Sequence, residues 1–237
     1  IITALSGSKT RIGFNKNPFS IFYTKSVKHE IGKGPGNPHE TSRNLTLIES
    51  ISSCKDAQMK LYPSQEDYAK VSQYKTSAYI TVAPASLWFT KQYPVIKWID
   101  FASKLDKDIR IIFIGSDKEK QLCNTIIDKS EHKNSLNLAG SLNFLQSAAL
   151  MKDAIMNYVN DSAPMHLASA MNANTAVIYC STVPEFGFGP LAKNSTIIET
   201  KKKLSCKPCG LHGFNTCPKK HFDCATTIET DQLLEIL

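Results

Sequence analysis

The sequence has no long hydrophobic run, and this absence excludes one class of protein. No stretch approaches the roughly 20 consecutive apolar residues that a membrane-spanning helix needs. It also contains no internal repeat, no low-complexity tract and no array of interleaved aromatic and basic residues of the RNA-binding or OB type. We therefore expect a globular protein with no nucleic-acid partner.

A secretory signal is missing as well, because no basic segment leads into an apolar run and a cleavage site. The chain opens on Ile1-Ile2-Thr3-Ala4, which reads as the middle of a folded unit. We expect further residues to precede it. With 237 residues, 42% hydrophobic and 21% charged, the chain is long enough for one large domain or for one domain and part of another.

Positive charge is in excess, with a formal net charge of +7 and lysine runs at 201–203 and 219–220. Such a balance favours attraction to anionic lipid or to a phosphorylated substrate. Any single lysine of these runs is equally explained as a solvated surface residue.

Strand and helix patterns alternate through most of the chain. Strands are predicted near residues 78–83, 109–115, 154–159, 175–180 and 195–198, and helices near 94–105, 118–130, 143–151 and 164–172. This alternation predicts an α/β fold with a doubly wound parallel sheet over 76–237. We assign 61–75 to an interdomain linker and 1–60 to the remnant of another domain, with a helix from Thr41 to Ile51.

The most informative segment runs from Asn160 to His166, between an apolar strand and a helix. Asp161 or Ser162 can cap this helix, and Pro164 suits its first turn, where the missing N–H costs nothing. The free amides of that turn form an anion site at the carboxyl end of a strand, where ligands bind in open α/β sheets. Taken alone, the cluster is more typical of a well-capped helix than of a phosphate site.

Seven cysteines cannot all pair, and we expect Cys54, Cys123 and Cys180 to be buried thiols of a reducing compartment. The other four follow the spacing Cys-x2-Cys-x7-Cys-x6-Cys, with histidines between them. The paired-cysteine knuckle suits a structural zinc site, although the second half lacks a close pair. Bound zinc, unbound thiols and disulfides all remain open. The four residues are Cys206, Cys209, Cys217 and Cys224.

Three motifs in order resemble the C-terminal half of glycosyltransferase family 9, the lipopolysaccharide heptosyltransferases. They are a Pro-x-Ser-x-Trp-x-Thr-Lys loop at 84–91, an Asp-Ser-x-Pro-Met-His-Leu-Ala turn at 161–168 and a Ser-Thr-x-Pro to Gly-Pro loop at 181–190. Arg11–Phe14 and His39–Leu45 are similar to segments that close the family's N-terminal domain. The cysteine-rich tail looks like the one carried by a subset of the family.

The resemblance implies a GT-B architecture, in which a Rossmann-like C-terminal domain holds the donor and a partial N-terminal domain lies on the acceptor side. It further implies an inverting transferase that needs no metal for catalysis. Such an enzyme moves a heptose, or a related sugar, from an ADP-linked donor to a lipopolysaccharide core acceptor at the cytoplasmic face of the inner membrane. Another nucleotide sugar as donor, or a non-catalytic metal-stapled binding module, are the alternatives.

Roles for single residues follow from the same resemblance. Lys91 matches the family's diphosphate-contacting lysine, and Glu119 matches its ribose-binding carboxylate, with Asp117 as the second candidate. Ala163 stands where the family commonly has glycine, so the backbone there is either ordinary or fits the phosphate differently. The family's general base lies in an early segment that this chain does not contain. The predicted donor-binding residues are Ser86, Thr90, Lys91, Glu119, Asp161, Ser162, Ala163 and His166.

Overall fold

The computed structural model describes residues 2–31, 37–54 and 57–237. The chain forms two compact units. Unit 1 comprises Ile1–Met59 and Pro184–Gly189, and unit 2 comprises Lys60–Val183 and Pro190–Leu237. Within the described ranges, no helix is both long enough and apolar enough to cross a membrane.

Unit 2 is built on one six-stranded parallel sheet with the strand order β5-β4-β3-β6-β7-β8. The strands are β3 Tyr79–Ala83, β4 Arg110–Phe113, β5 Ser135–Asn137, β6 Asn157–Asn160, β7 Thr175–Tyr179 and β8 Ser195–Glu199. The chain fills the sheet from β3 outward to β5 and then returns to place β6 on the other side of β3. The order therefore reverses between β3 and β6, and a crevice forms at the carboxyl ends of strands at such a point.

The helices of unit 2 connect these strands and cover the sheet. They are α3 Gln65–Ser72, α4 Val95–Lys104, α5 Lys120–Ser130, α6 Phe144–Lys152, α7 Ala163–Met171, α8 Asp223–Thr226 and α9 Asp231–Leu234, with 3-10 turns at Phe89–Lys91 and Asp117–Glu119. This arrangement confirms the predicted doubly wound α/β fold.

Side chains alternate between the two faces of the sheet, as strand geometry requires. In β3, Ile80 and Val82 enter one hydrophobic core, whereas Tyr79 and Ala83 enter the other. All five residues of β3 are buried, and the same holds for β7. Continuous apolar strands of this kind are typical of a parallel sheet covered on both faces.

Four elements of unit 2 were not predicted: the helix α3, the strand β5 and the short C-terminal helices α8 and α9. Helix α3 lies within 61–75, the segment expected to be a linker, and it packs against α6. Ser64 and Asp67 cap it reciprocally. The edge strand β5 gave no strand pattern, because it has only three residues, Ser135 to Asn137, and two of them are polar.

Unit 1 has little regular structure. It contains the helices α1 Ile2–Leu5 and α2 Glu40–Leu45, the parallel strands β1 Ile12–Phe14 and β2 Lys25–Val27, and 3-10 turns at Ser20–Phe22 and Pro184–Phe186. The helix expected from Thr41 to Ile51 therefore ends early, and turns follow it.

Arg43 of α2 organises unit 1 around its buried guanidinium. It forms an ion pair with Glu40 at 2.6 Å and donates to the carbonyl oxygens of Pro38 and Phe186 at 2.6 and 2.9 Å. Gly187 has a φ of +93°, and a Cβ atom there would lie 2.5 Å from the guanidinium nitrogens. Only glycine fits so close to Arg43, and this explains one residue of the Gly-Phe-Gly-Pro run.

Candidate functional site

A cavity of about 670 Å³ opens in unit 2 where the strand order reverses. Its volume is within the range of small-molecule sites. Four segments at the carboxyl ends of strands line it: the loop after β3, the turn after β4, the start of α6 and the turn from β6 into α7. The lining residues are Ala83, Ala85–Trp88, Lys91, Ile114–Ser116, Glu119, Leu142–Phe144, Ser147, Asp161–Pro164 and Leu167.

Lys91 and Asp161, which are 70 positions apart in the sequence, form an ion pair in this cavity. The Lys91 Nζ to Asp161 Oδ2 distance is 2.6 Å, and the side chains are only 15% and 9% exposed. Thr182 donates its hydroxyl to the same carboxylate oxygen at 2.6 Å. Asp161 therefore holds the lysine ammonium in place, and an ammonium has three N–H donors, so others remain for a ligand.

The first turn of α7 adds backbone donors to the same cavity. Ser162 occupies the N-cap position, but its side chain accepts no hydrogen bond from the helix. Its hydroxyl donates instead to the Asn160 carbonyl at 3.3 Å. The expectation that Asp161 or Ser162 caps this helix is therefore wrong, because Lys91 and Thr182 engage Asp161. In this turn Pro164 has no N–H and the Met165 N–H donates to the Ser162 carbonyl at 3.1 Å. The Ser162 and Ala163 N–H groups, with the helix dipole behind them, are therefore the donors that favour an anion.

Ala163 has an ordinary helical backbone as the first residue of α7. Among the described residues other than glycine, positive φ values occur at Glu131, Asn172, Lys220 and Phe222, and not at Ala163. The replacement of the family's usual glycine thus causes no backbone strain.

Glu119 lines the cavity, whereas Asp117 does not. One oxygen of Glu119 accepts from the Ser116 backbone N–H at 2.6 Å as part of a reciprocal cap. A Cβ atom on Gly115 would lie 2.3 Å from that oxygen, so glycine is what lets the carboxylate turn back onto the chain. Glu119 thus has a structural role, and its second oxygen can accept from a ligand.

Ser86, Thr90 and His166 differ in their placement. Ser86 lines the cavity, and its carbonyl accepts from Gln92 at 2.6 Å, which closes the loop. Thr90, expected to donate its hydroxyl to phosphate, is 1% exposed and lies outside the lining. His166 is half-buried on α7 and is also outside the lining.

Asn160, the last residue of β6, opens the Asn160–His166 segment, but no role was predicted for its side chain. Its fully buried amide donates to the carbonyls of Pro84 and Ala85 at 2.8 and 3.3 Å, and its oxygen accepts from Tyr93 N–H at 3.0 Å. Asn160 thus fastens both ends of the loop that carries Lys91. The available signal was a polar residue ending an otherwise buried strand next to Asp161.

Two large apolar side chains stand at the edge of the cavity. Leu87 is 87% exposed and Phe144 is 74% exposed, and both line the cavity. Exposed apolar groups beside a concave polar site are typical of ligand contact.

The four tail cysteines are free thiols in the structure. Burial raises the pKa of Cys224 to about 11 and also raises the pKa of Cys209. Cys206 Sγ lies 3.8 Å from His221 Nε2. Within the described ranges, no three His, Cys, Asp or Glu residues are arranged to hold a metal ion, and the predicted zinc site stays a prediction.

The three other cysteines were expected to be buried. Cys123 and Cys180 are buried, and burial raises the pKa of both thiols. Cys54 is exposed, so the expectation is wrong for that residue. It lies outside any helix or strand.

The family model described as glycosyltransferase family 9 (heptosyltransferase) matches residues 1–214. A lipooligosaccharide heptosyltransferase 2 of Campylobacter jejuni is 25% identical over 154 residues, covering 64% of this chain and 47% of that protein. The chain thus matches about half the length of its curated relatives.

Solved structures share the fold at low sequence identity. ADP-heptose lipopolysaccharide heptosyltransferase II of E. coli superposes with a TM-score of 0.74 at 19% identity, covering 98% of this chain and 69% of that one. An E. coli heptosyltransferase solved with ADP gives 0.62 at 18% identity, covering 91% of this chain and 59% of that one. These likenesses support the GT-B fold.

Proposed function

Because this chain belongs to glycosyltransferase family 9, the heptosyltransferase family, we propose that unit 2 binds a nucleotide-sugar donor in the cavity after β3 and β6. The whole protein would then transfer a heptose, or a related sugar, from an ADP-linked donor to a lipopolysaccharide core acceptor. The observation that carries this proposal is the meeting of Lys91, Asp161 and the uncapped start of α7 in one cavity.

The chemistry of sugar transfer explains this arrangement. When the glycosidic bond breaks, negative charge develops on the departing diphosphate, and fixed donors placed at that point lower the barrier. Lys91 supplies a cation, and the first turn of α7 supplies amides. These groups provide the stabilisation without a metal ion, and we propose metal-independent catalysis on that basis.

The remaining lining residues suit the rest of a nucleotide. The Glu119 carboxylate oxygen that does not bind Ser116 can accept hydrogen bonds from ribose hydroxyls. Ser86 can donate its hydroxyl to a phosphate. Leu87 and Phe144 offer apolar contact to the flat face of a base. An ADP-linked donor is proposed because one E. coli heptosyltransferase of the same fold was solved both with ADP and with ADP-2-deoxy-2-fluoro heptose.

The acceptor hydroxyl needs a general base within hydrogen-bond reach. The two carboxylates of the cavity are Asp161, which already binds Lys91 and Thr182, and Glu119, which binds Ser116. We propose that neither is the base and that an inverting transfer uses a carboxylate from another segment of the whole protein. The lysine runs 201–203 and 219–220 would favour an anionic acceptor at the membrane face.

Replacement of the cavity lysine tests the donor site. Lys91→Ala should weaken ADP binding about tenfold or more, because a charge-assisted contact to phosphate is lost. Isothermal titration of the wild type and the variant with ADP measures this. The matched control is Lys97→Ala, since Lys97 also forms an ion pair, with Glu229, but does not line the cavity. Equal ADP affinity in the wild type and Lys91→Ala would contradict the proposal.

Nucleotide identity and metal content separate the two alternatives. A thermal shift with UDP that exceeds the shift with ADP would favour a different donor, because the tighter native-state ligand gives the larger rise. One equivalent of zinc in the purified protein, lost with unfolding on chelation, would confirm the structural zinc site. Protein without bound metal would contradict it.

A further inference from the structure

The cysteine-rich segment, residues 206–224, packs directly behind the lysine of the cavity. Thr90 N–H donates to the Phe214 carbonyl at 3.0 Å, and Phe214 N–H donates to the Thr90 hydroxyl at 2.8 Å. A Cβ atom on Gly213 would lie 3.0 Å from Lys91 Cγ and 3.0 Å from Thr90 Oγ1. The backbone of Gly213 and Phe214 therefore lies against the aliphatic stem of Lys91, with no room there for a methyl group.

Thr90 also links this contact to Ser181, which lies just after strand β7. Its hydroxyl also accepts from Ser181 Oγ at 3.1 Å, and the Ser181 carbonyl accepts from Cys209 N–H at 2.7 Å. The hydroxyl thus holds two segments that are far apart in the sequence. This explains why Thr90 is buried rather than facing a ligand.

We propose that Gly213 and Phe214 are positioning residues that set the location of Lys91 for a diphosphate ligand. The inference rests on the proposed function of the cavity. Neither residue lines the cavity, so both act on a ligand through lining residues that they contact. A Cβ atom on Gly213 would lie 3.0 Å from Lys91 Cγ and 3.3 Å from Trp88 Cβ, and Lys91 is the one of these two that carries a charge for a diphosphate. A lysine side chain has four rotatable bonds and loses freedom when it binds. Asp161 fixes the ammonium at one end, and the Gly213 backbone restricts the stem at the other.

Gly213→Ala tests the contact. The added methyl displaces the Lys91 stem, and we expect ADP affinity to fall about threefold to tenfold, the range of couplings between contacting residues. Affinity for adenosine, which has no phosphate, should not change. Gly7→Ala is the matched control, because Gly7 also has a positive φ, of +67°, but a Cβ atom there would meet nothing within 4 Å among the described residues. Isothermal titration of the wild type and of both variants, each with ADP and with adenosine, measures the six dissociation constants.

A double-mutant cycle shows whether the effect passes through Lys91. In the Lys91→Ala background, Gly213→Ala should change ADP affinity by less than about twofold, because the group it displaces is gone. An equal loss in both backgrounds would mean that the tail acts on the whole site, and it would overturn the proposal.

A second pair of variants keeps the test valid if Gly213→Ala does not fold. Thr90→Val preserves side-chain shape but removes the hydroxyl that binds Phe214, and it should also weaken ADP selectively over adenosine. Thr90→Ser keeps the hydroxyl and should retain wild-type affinity. If Lys91→Ala weakens ADP binding as expected, unchanged affinity in Thr90→Val and in folded Gly213→Ala overturns this inference alone. Wild type that does not bind ADP overturns the proposed function, and the inference with it.

Discussion

Asn160 shows how one buried amide can prepare a binding loop. From the carboxyl end of β6, its side chain forms hydrogen bonds with Pro84 and Ala85 at one end of the loop and with Tyr93 at the other. A loop held at both ends has fewer conformations to lose when a ligand binds.

We expect Asn160→Ala to lower the free energy of unfolding by roughly 2–3 kcal/mol, because the Tyr93 N–H and the loop carbonyls lose their buried partner. Urea unfolding followed by circular dichroism measures the change. Asn194→Ala is the control, since the exposed Asn194 side chain bonds only to Asn174 and its loss should cost under about 0.5 kcal/mol. Equal stability of the two variants would contradict the assigned role of Asn160.

At the scale of residues, the family resemblance assigned both Lys91 and Asp161 to one donor site, but their ion pair was not predicted. The structure brings them together because both follow parallel strands whose carboxyl ends share one edge. The sequence did not predict the burial of Thr90. That burial depends on Phe214, 124 positions later in the sequence, and no local pattern encodes such a contact. The prediction that Asp161 caps α7 was wrong for a related reason, because the Asp161 carboxylate binds Lys91 and Thr182 instead.

At the scale of elements, burial decides which ones the sequence reveals. Strands β3 and β7 are buried throughout, with one threonine each among apolar residues, and were predicted within a few residues. Strand β5 has three half-buried residues, so it gives no such signal. Its position depends on tertiary contacts at the sheet edge, including one from the buried His132.

His132 gives this sheet edge a pH dependence. Its Nε2 bonds to the Asp106 carbonyl at 3.2 Å, and its Nδ1 lies 3.2 Å from the Ser135 hydroxyl at the start of β5. Burial, aided by Lys107, lowers the pKa of His132 below its usual 6.5. A lowered folded-state pKa means that the unfolded chain binds the proton more readily. The stability contribution is therefore complete above pH 6.5 and is lost as pH falls through the folded pKa.

We expect the melting temperature to fall when pH is lowered from 7 to 5, and to fall less in His132→Gln, which cannot titrate. Scanning calorimetry across this range tests the expectation. Burial also lowers the pKa of His39 in unit 1, so some decrease should remain in the variant. Identical pH profiles for both proteins would contradict the role of His132.

At the scale of the whole molecule, every residue that lines the cavity belongs to unit 2. The proposed donor site is therefore a property of one compact body, whose sheet and helices fix four loops at the same edge. The sequence predicted the fold of unit 2 because apolar strands alternate there with helices of about ten residues. The short elements of unit 1 give weaker sequence patterns. The helix predicted up to Ile51 ends at Leu45 in the structure.

Hydrogen exchange with and without ADP tests this division of labour. Bound ligand slows local opening where it makes contact. We expect slower exchange in the loop after β3, in the turn after β4, at the start of α6 and at the start of α7. Mass spectrometry of the exchanged peptides resolves these segments. Protection confined to residues 2–31 and 37–54 would contradict the placement of the nucleotide in unit 2.

The path of the chain between β7 and β8 has a practical consequence for dissecting the protein. The stretch Pro184–Gly189 lies between the two sequence segments of unit 2 but folds with unit 1. There, Arg43 donates to the Phe186 carbonyl. A gene truncated at residue 60 would leave that carbonyl without its guanidinium. Isolating unit 2 therefore requires two edits: removal of everything that precedes Lys60, and replacement of Pro184–Gly189 by a short bridge from Val183 to Pro190.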